Sequence, residues 1–162
     1  MVGGATTFFN TSGNSFGFAA PNLNSLQSLQ FNTGNSFFRQ AWVSAVASTT
    51  SRDGLGPLFN ETACSNCHFK DGRGRAPQFG EPFGHGLLMR LSRPGTNPFG
   101  GPLGDPVYGD QLSHGALLTI NAEGNFDISY TEQGGLYGDG SSYSLRNPVY
   151  TLKDLNYGPV AS

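Results

Sequence analysis

The chain has 162 residues, enough for about one domain, and a net charge of −2. That charge argues against nucleic acid as a partner, and no apolar run approaches the length of a membrane-spanning helix. With 24 Gly, 10 Pro and 12% charged residues, but 13 Phe and 6 Tyr to bury, the composition points away from disorder. It suits a loop-rich globular fold with an aromatic core.

Residues 1–24 are polar with scattered aromatics, Phe8, Phe9, Phe16 and Phe18. The opening Met1-Val2-Gly3-Gly4-Ala5 lacks the charged and apolar regions of a signal peptide. Pro21-Asn22-Leu23-Asn24 ends the stretch, and Asn24 is suited to cap a short helix over Ser25–Leu29. Phe31 to Thr49 is predicted to be helical in its middle. Phe37, Ala41 and Ala45 recur every fourth residue, as do Phe38, Trp42 and Val46. Trp42 reads first as a core residue, and second as a stepping stone for electrons. Asp53-Gly54-Leu55-Gly56-Pro57 is a turn, and Leu58 to His68 is predicted to form a helix.

That predicted helix carries Cys64-Ser65-Asn66-Cys67-His68, the attachment signature of c-type haem. Two thiols on one helical turn can add to the two vinyl groups of one haem. The adjacent His68 is then held beneath the porphyrin and can give a ring nitrogen to iron as proximal ligand. Both cysteines of the chain are used. Three rivals fit less well. A thioredoxin-type pair needs a βαβ setting that the flanks do not offer. A zinc site would have to recruit His85 and His114, far apart in sequence. A disulfide across two residues would be strained and would constrain little of the chain. A haem would also supply much of the apolar core that this composition lacks. Haem c is attached outside the cytoplasm in bacteria, so a periplasmic or extracellular location is expected. The chain is then expected to have lost a leader or to be a piece of a longer protein.

Asp71-Gly72-Arg73-Gly74-Arg75 follows as a Gly-rich loop without the closing Lys-Ser/Thr of a phosphate loop. Its arginines suit haem propionates, or simply solvent. Beyond residue 80 the pattern turns to strands. Leu87, Met89 and Leu91 alternate with Leu88, Arg90 and Ser92. Residues 93–106 and Gly134 to Gly140 read as irregular connections. Leu117 to Asn121 and the run Phe126, Ile128, Tyr130 read as a hairpin around Ala122-Glu123-Gly124-Asn125. For the distal face of the iron the candidates are Met89, His85 and His114. Met89 reads more simply as a core residue, and His114 as a surface residue.

The stretches Gly3–Thr7, Gly34–Phe38, Asp53–Asn60, Cys64–His68, Asp71–Gly74, Gly86–Ser92, Gly104–Gly109 and Tyr143–Pro148 together carry a resemblance. Ala47–Arg52 matches only loosely. The chain resembles the bacterial di-haem oxidoreductases, relatives of the di-haem cytochrome c peroxidases. The resemblance covers nearly the whole chain and is most specific from Asp53 to Gly74. It implies two haem c domains, one storing an electron while the other meets peroxide. This chain has one Cys-x-x-Cys-His motif, so it resembles the N-terminal haem half of such a protein. Met89 and His114 match no family ligand position.

The expectation is therefore an α+β chain, one domain over 1–162. It combines a cytochrome-c-like helical haem-binding core over about 25–80 with a strand and hairpin region over 86–132, joined by Gly/Pro-rich loops. Cys64 and Cys67 are expected to hold one covalent haem c and His68 its iron, for electron transfer with a redox donor or acceptor protein. Nucleic acid is not an expected partner. The alternatives are a peroxidase that reduces hydrogen peroxide at the single haem, and a non-redox interaction domain whose cysteines bind zinc.

Overall fold

The computed structural model describes residues 3–77 and 86–161. They fall into two compact units: residues 3–76 with 86–87, and residue 77 with 88–161. The class is mixed, with few helices and small antiparallel sheets. No described helix is long and apolar enough to cross a membrane.

The first unit opens with 3₁₀ turns at Gly4–Thr6 and Ser15–Gly17, followed by helix α1, Ser25–Arg39. The helix starts where the sequence says it should. The Asn24 side chain accepts from the Gln27 N–H at 2.9 Å, and Gln27 Oε1 accepts from the Asn24 N–H at 3.0 Å. This reciprocal box satisfies two amides at the start of the helix. Asn24→Ala is expected to cost about 1 kcal/mol, measured by chemical unfolding.

From that cap, α1 runs without a break to Arg39, where two separate helical stretches were expected. It then stops sooner than the spacing of Phe38, Trp42 and Val46 suggested. Gln40 is extended, and tertiary hydrogen bonds claim the next residues. Trp42 N–H donates to Thr62 O at 2.8 Å, Val43 N–H to Arg52 O at 3.0 Å, and Leu55 N–H to Val43 O at 2.9 Å. The β-branched residues here hold a helix weakly, so these bonds override the periodicity.

The same bonds explain why Leu58 to His68 is not one helix. Leu58–Phe59 is a two-residue strand, β1, and only Cys64–Cys67 is helical, as α2. Ala63 before it is extended, at φ −140° and ψ 147°. A 3₁₀ turn, Phe69–Asp71, follows at once. Among the described residues of this unit Ala63 is the one buried apolar residue, while Phe9, Phe16 and Phe69 lie exposed. The described residues of this unit form almost no apolar core of their own.

The second unit holds strands β2 (Arg93–Thr96), β3 (Pro102–Leu103), β4 (Gly115–Ala116), β5 (Asn125–Leu136) and β6 (Ser142–Lys153). β2 and β3 form a small antiparallel hairpin in a stretch expected to be irregular. Asn97 closes it: its side-chain oxygen accepts the N–H groups of Phe99 at 2.9 Å and Gly101 at 3.0 Å. Side-chain mimicry of a backbone turn is what Asn does well.

β5 and β6 pair from Asn125↔Lys153 to Leu136↔Ser142. The run Phe126, Ile128, Tyr130 is thus a strand, as expected, but its partner lies after it. Leu117 to Asn121 is not a strand. Gly134 and Gly135 belong to β5, and the tip is closed by Tyr137 N–H to Ser141 O at 2.8 Å and Gly140 N–H to Tyr137 O at 2.9 Å. Pro148 is tolerated in β6 because both strands of a two-stranded sheet are edges. Of the alternating run from Leu87 to Ser92, only Arg90 makes a bridge, to Gln111.

The core of this unit is Tyr108, Leu112 and Phe126, of which Phe126 is 2% exposed. Asp105 is buried beside it and accepts backbone N–H groups from Val107 at 2.8 Å, Tyr108 at 2.9 Å and Ala161 at 2.6 Å. These bonds, that from Ala161 first, hold its carboxyl below the usual range. The stabilisation is present above the unfolded pKa and is lost as pH falls through the lower folded one.

Candidate functional site

The Cys64–His68 turn is built locally. His68 N–H donates to Cys64 O at 2.9 Å, which closes one turn of helix and brings both thiols and the imidazole to neighbouring positions. Ser65 Oγ–H donates to Arg39 O at 3.3 Å, tying the turn to the end of α1. Asn66 donates its side-chain N–H to Glu61 Oε2 at 2.9 Å. Both cysteines are free thiols; Cys64 is exposed and Cys67 half-buried.

A cavity of about 300 Å³ lies against the turn, lined by Trp42, Leu55, Glu61, Thr62, Ala63, Cys64, Cys67 and His68. The backbone bonds of the 40–62 loop bring Trp42 and Leu55 here. Trp42 thus stands in the wall of the site and not inside a helix. Cys67 also lines a second cavity of about 430 Å³ with Phe69, Arg73, Gly74 and Arg75. The two arginines of the Gly-rich loop therefore sit by the motif, where anionic groups would meet planar guanidinium donors.

Burial, then the Glu61 carboxylate, pushes the Cys67 thiol up from its ordinary value.

His68 is exposed, and its ring Nδ1 lies 3.0 Å from Gly72 O. A carbonyl can only accept, so Nδ1 carries the proton in this bond. With the proton on Nδ1, Nε2 is the nitrogen left to bind a metal. The Phe38 ring packs at 5.8 Å between centroids and limits how the imidazole can turn.

These features fit a haem. Two free thiols and an imidazole with an available nitrogen share an apolar-walled cavity, in a unit whose described residues form almost no apolar core. Among the described residues no three His, Cys, Asp or Glu side chains converge as a cage for a bare metal ion.

Met89 is in the second unit, half-buried, with its carbonyl accepting the Leu112 N–H at 2.9 Å. His114 is half-buried in that unit. His85 lies outside the described residues.

Three features had no signal in a linear reading. One is the Gly72 carbonyl facing His68. Another is the ion pair of Arg39 with Asp71, 32 residues apart. The third is a backbone crossing: a Cβ on Gly74 would stand 2.4 Å from Gly86 Cα, and one on Gly86 would stand 2.9 Å from Cys67 O. Gly86 also has φ +100°, so it needs glycine twice over.

The family model described as "Di-haem oxidoreductase, putative peroxidase" matches residues 1–160 of the chain. No curated protein and no solved structure matches it.

Proposed function

The chain belongs to the di-haem oxidoreductase family, and on that premise we propose that it holds one covalent haem c on Cys64 and Cys67 and exchanges electrons with a redox partner protein. His68 is the proximal ligand in this reading. The observation that carries it is the 3.0 Å contact between His68 Nδ1 and Gly72 O, which turns Nε2 into the free donor. When bound, haem supplies a one-electron couple at iron. The chain's own part is to hold and to shape. Cys64 and Cys67 fix the group by two thioether bonds, so that it cannot dissociate when oxidised or reduced. Trp42, Leu55 and Ala63 give it an apolar wall that keeps water from one side. Arg73 and Arg75 offer positive charge beside Cys67, suited to the propionates. The finer fold reading, a cytochrome-c-like haem core, rests on α1, α2 and the turn after it being gathered in one unit. A periplasmic or extracellular location follows from where c-type haem is attached.

The test is a pyridine haemochrome measurement on the chain matured with cytochrome c assembly machinery. One haem per chain, with the spectrum of two saturated thioether links, is the expected result. A chain that emerges without haem but with one zinc ion would sink the proposal and favour the zinc-binding alternative.

A further inference from the structure

The turn that follows the motif is strained. Lys70 and Asp71 adopt left-handed backbone conformations, at φ 55° and φ 61°. Such conformations are unfavourable for an ordinary L-residue, less so for Asp. Two in succession persist only where the surroundings impose them. Their effect is to reverse the chain within one turn, so that the Gly72 carbonyl comes back against His68 Nδ1.

The constraint comes from Arg39. Its guanidinium makes a two-pronged contact with Asp71: Nε–H donates to Oδ1 at 3.3 Å, and Nη2–H donates to Oδ2. The Asp71 side chain is 14% exposed and that of Arg39 is 51% exposed, so the carboxylate is the sheltered partner. The paired carboxylate also raises the Arg39 pKa. The other end of the same residue holds the motif itself, through the Ser65 bond to Arg39 O. Arg39 is the last residue of α1, so the capped helix sets where both grips act. Gly17 leaves room for the pair: a Cβ there would stand 2.7 Å from Asp71 Oδ2 and 3.3 Å from Arg39 Nη2.

We infer that Arg39 and Asp71 are positioning residues for the iron ligand, clamping the Phe69–Asp71 turn so that Gly72 O keeps its hydrogen bond to His68 Nδ1. The inference rests on the haem-ligand reading of His68. A hydrogen bond from Nδ1–H to a fixed acceptor raises the basicity of Nε2. A more basic ligand favours ferric iron and lowers the reduction potential. Loosening the clamp lets Gly72 O drift, weakens that bond, and raises the potential. A lysine at position 39 keeps the charge and loses the fork, so it restores only part of the effect.

The experiment uses the full haem-loaded chain. The reduction midpoint is read by spectroelectrochemistry, and the iron–histidine stretch by resonance Raman in the ferrous state. Asp71→Asn and Arg39→Gln are each expected to move the midpoint to more positive values and the stretch to lower frequency. Arg39→Lys is expected to fall between these and the parent. Gly17→Ala approaches the clamp from a residue outside the pair and is expected to shift both readouts in the same direction. A parent chain without covalent haem overturns the proposed function, and this inference with it. A haem-loaded parent whose variants melt earlier but keep its midpoint and stretch overturns the inference alone.

Discussion

Changing Cys64 and Cys67 together to Ala is expected to abolish covalent haem entirely. Haem staining of the chain on a denaturing gel falls from one equivalent to none. The two thiols are the only ones in the chain, so no third sulfur can substitute. They sit at either end of the single turn α2, and both line the cavity with His68. Either single change leaves one thioether possible and is expected to reduce staining without removing it. The loss should also lower stability, because the first unit then keeps an apolar wall with nothing against it and Ala63 as its one buried apolar residue among those described. Staining that survives the double change would show that the group is held elsewhere.

The second large effect is expected at His68. His68→Ala leaves both thiols in place and removes the imidazole that faces Gly72 O and Phe38. The haem that remains attached should show a displaced Soret band in both the ferric and the ferrous state. Thermal stability should fall as well, since the imidazole links the motif to the turn that follows. For a chain of this size each kcal/mol lost lowers the melting temperature by about 2–4 °C. Added imidazole should return the Soret band towards that of the parent, because it restores the nitrogen without restoring the link. A spectrum that matches the parent in both oxidation states would remove His68 from the proximal position.

The two changes together separate attachment from ligation. The cysteine variant asks whether the chain holds the group, and the histidine variant asks how the iron is bound once held. Arg39 and Asp71 then act one step further out, on the orientation of the ligand.

The sequence by itself determined what depends on neighbours within about one turn of chain. Asn24 and Gln27 lie three apart, and their box starts α1 where expected. Cys64, Cys67 and His68 lie within five residues, so one helical turn is enough to gather them. The family resemblance was legible for the same reason, in short runs from Asp53 to Gly74, and the family model matches 1–160.

Only the tertiary structure decided the rest. Whether Trp42 would continue a helix was settled by Thr62, which takes its N–H across twenty residues. Which segment would pair with β5 was settled by twelve residues of β6, past glycines that read as a break. The acceptor for His68 depended on two left-handed residues, and these on Arg39, 32 positions before Asp71. Gly74 and Gly86 gave no sign of meeting beneath Cys67 until the chain was folded. The physical reason is common to all four. A local hydrogen bond follows from residue type and spacing, whereas a contact across a long loop must first offset the entropy of closing it. That contest is decided by the whole set of bonds formed, which no single stretch of sequence contains.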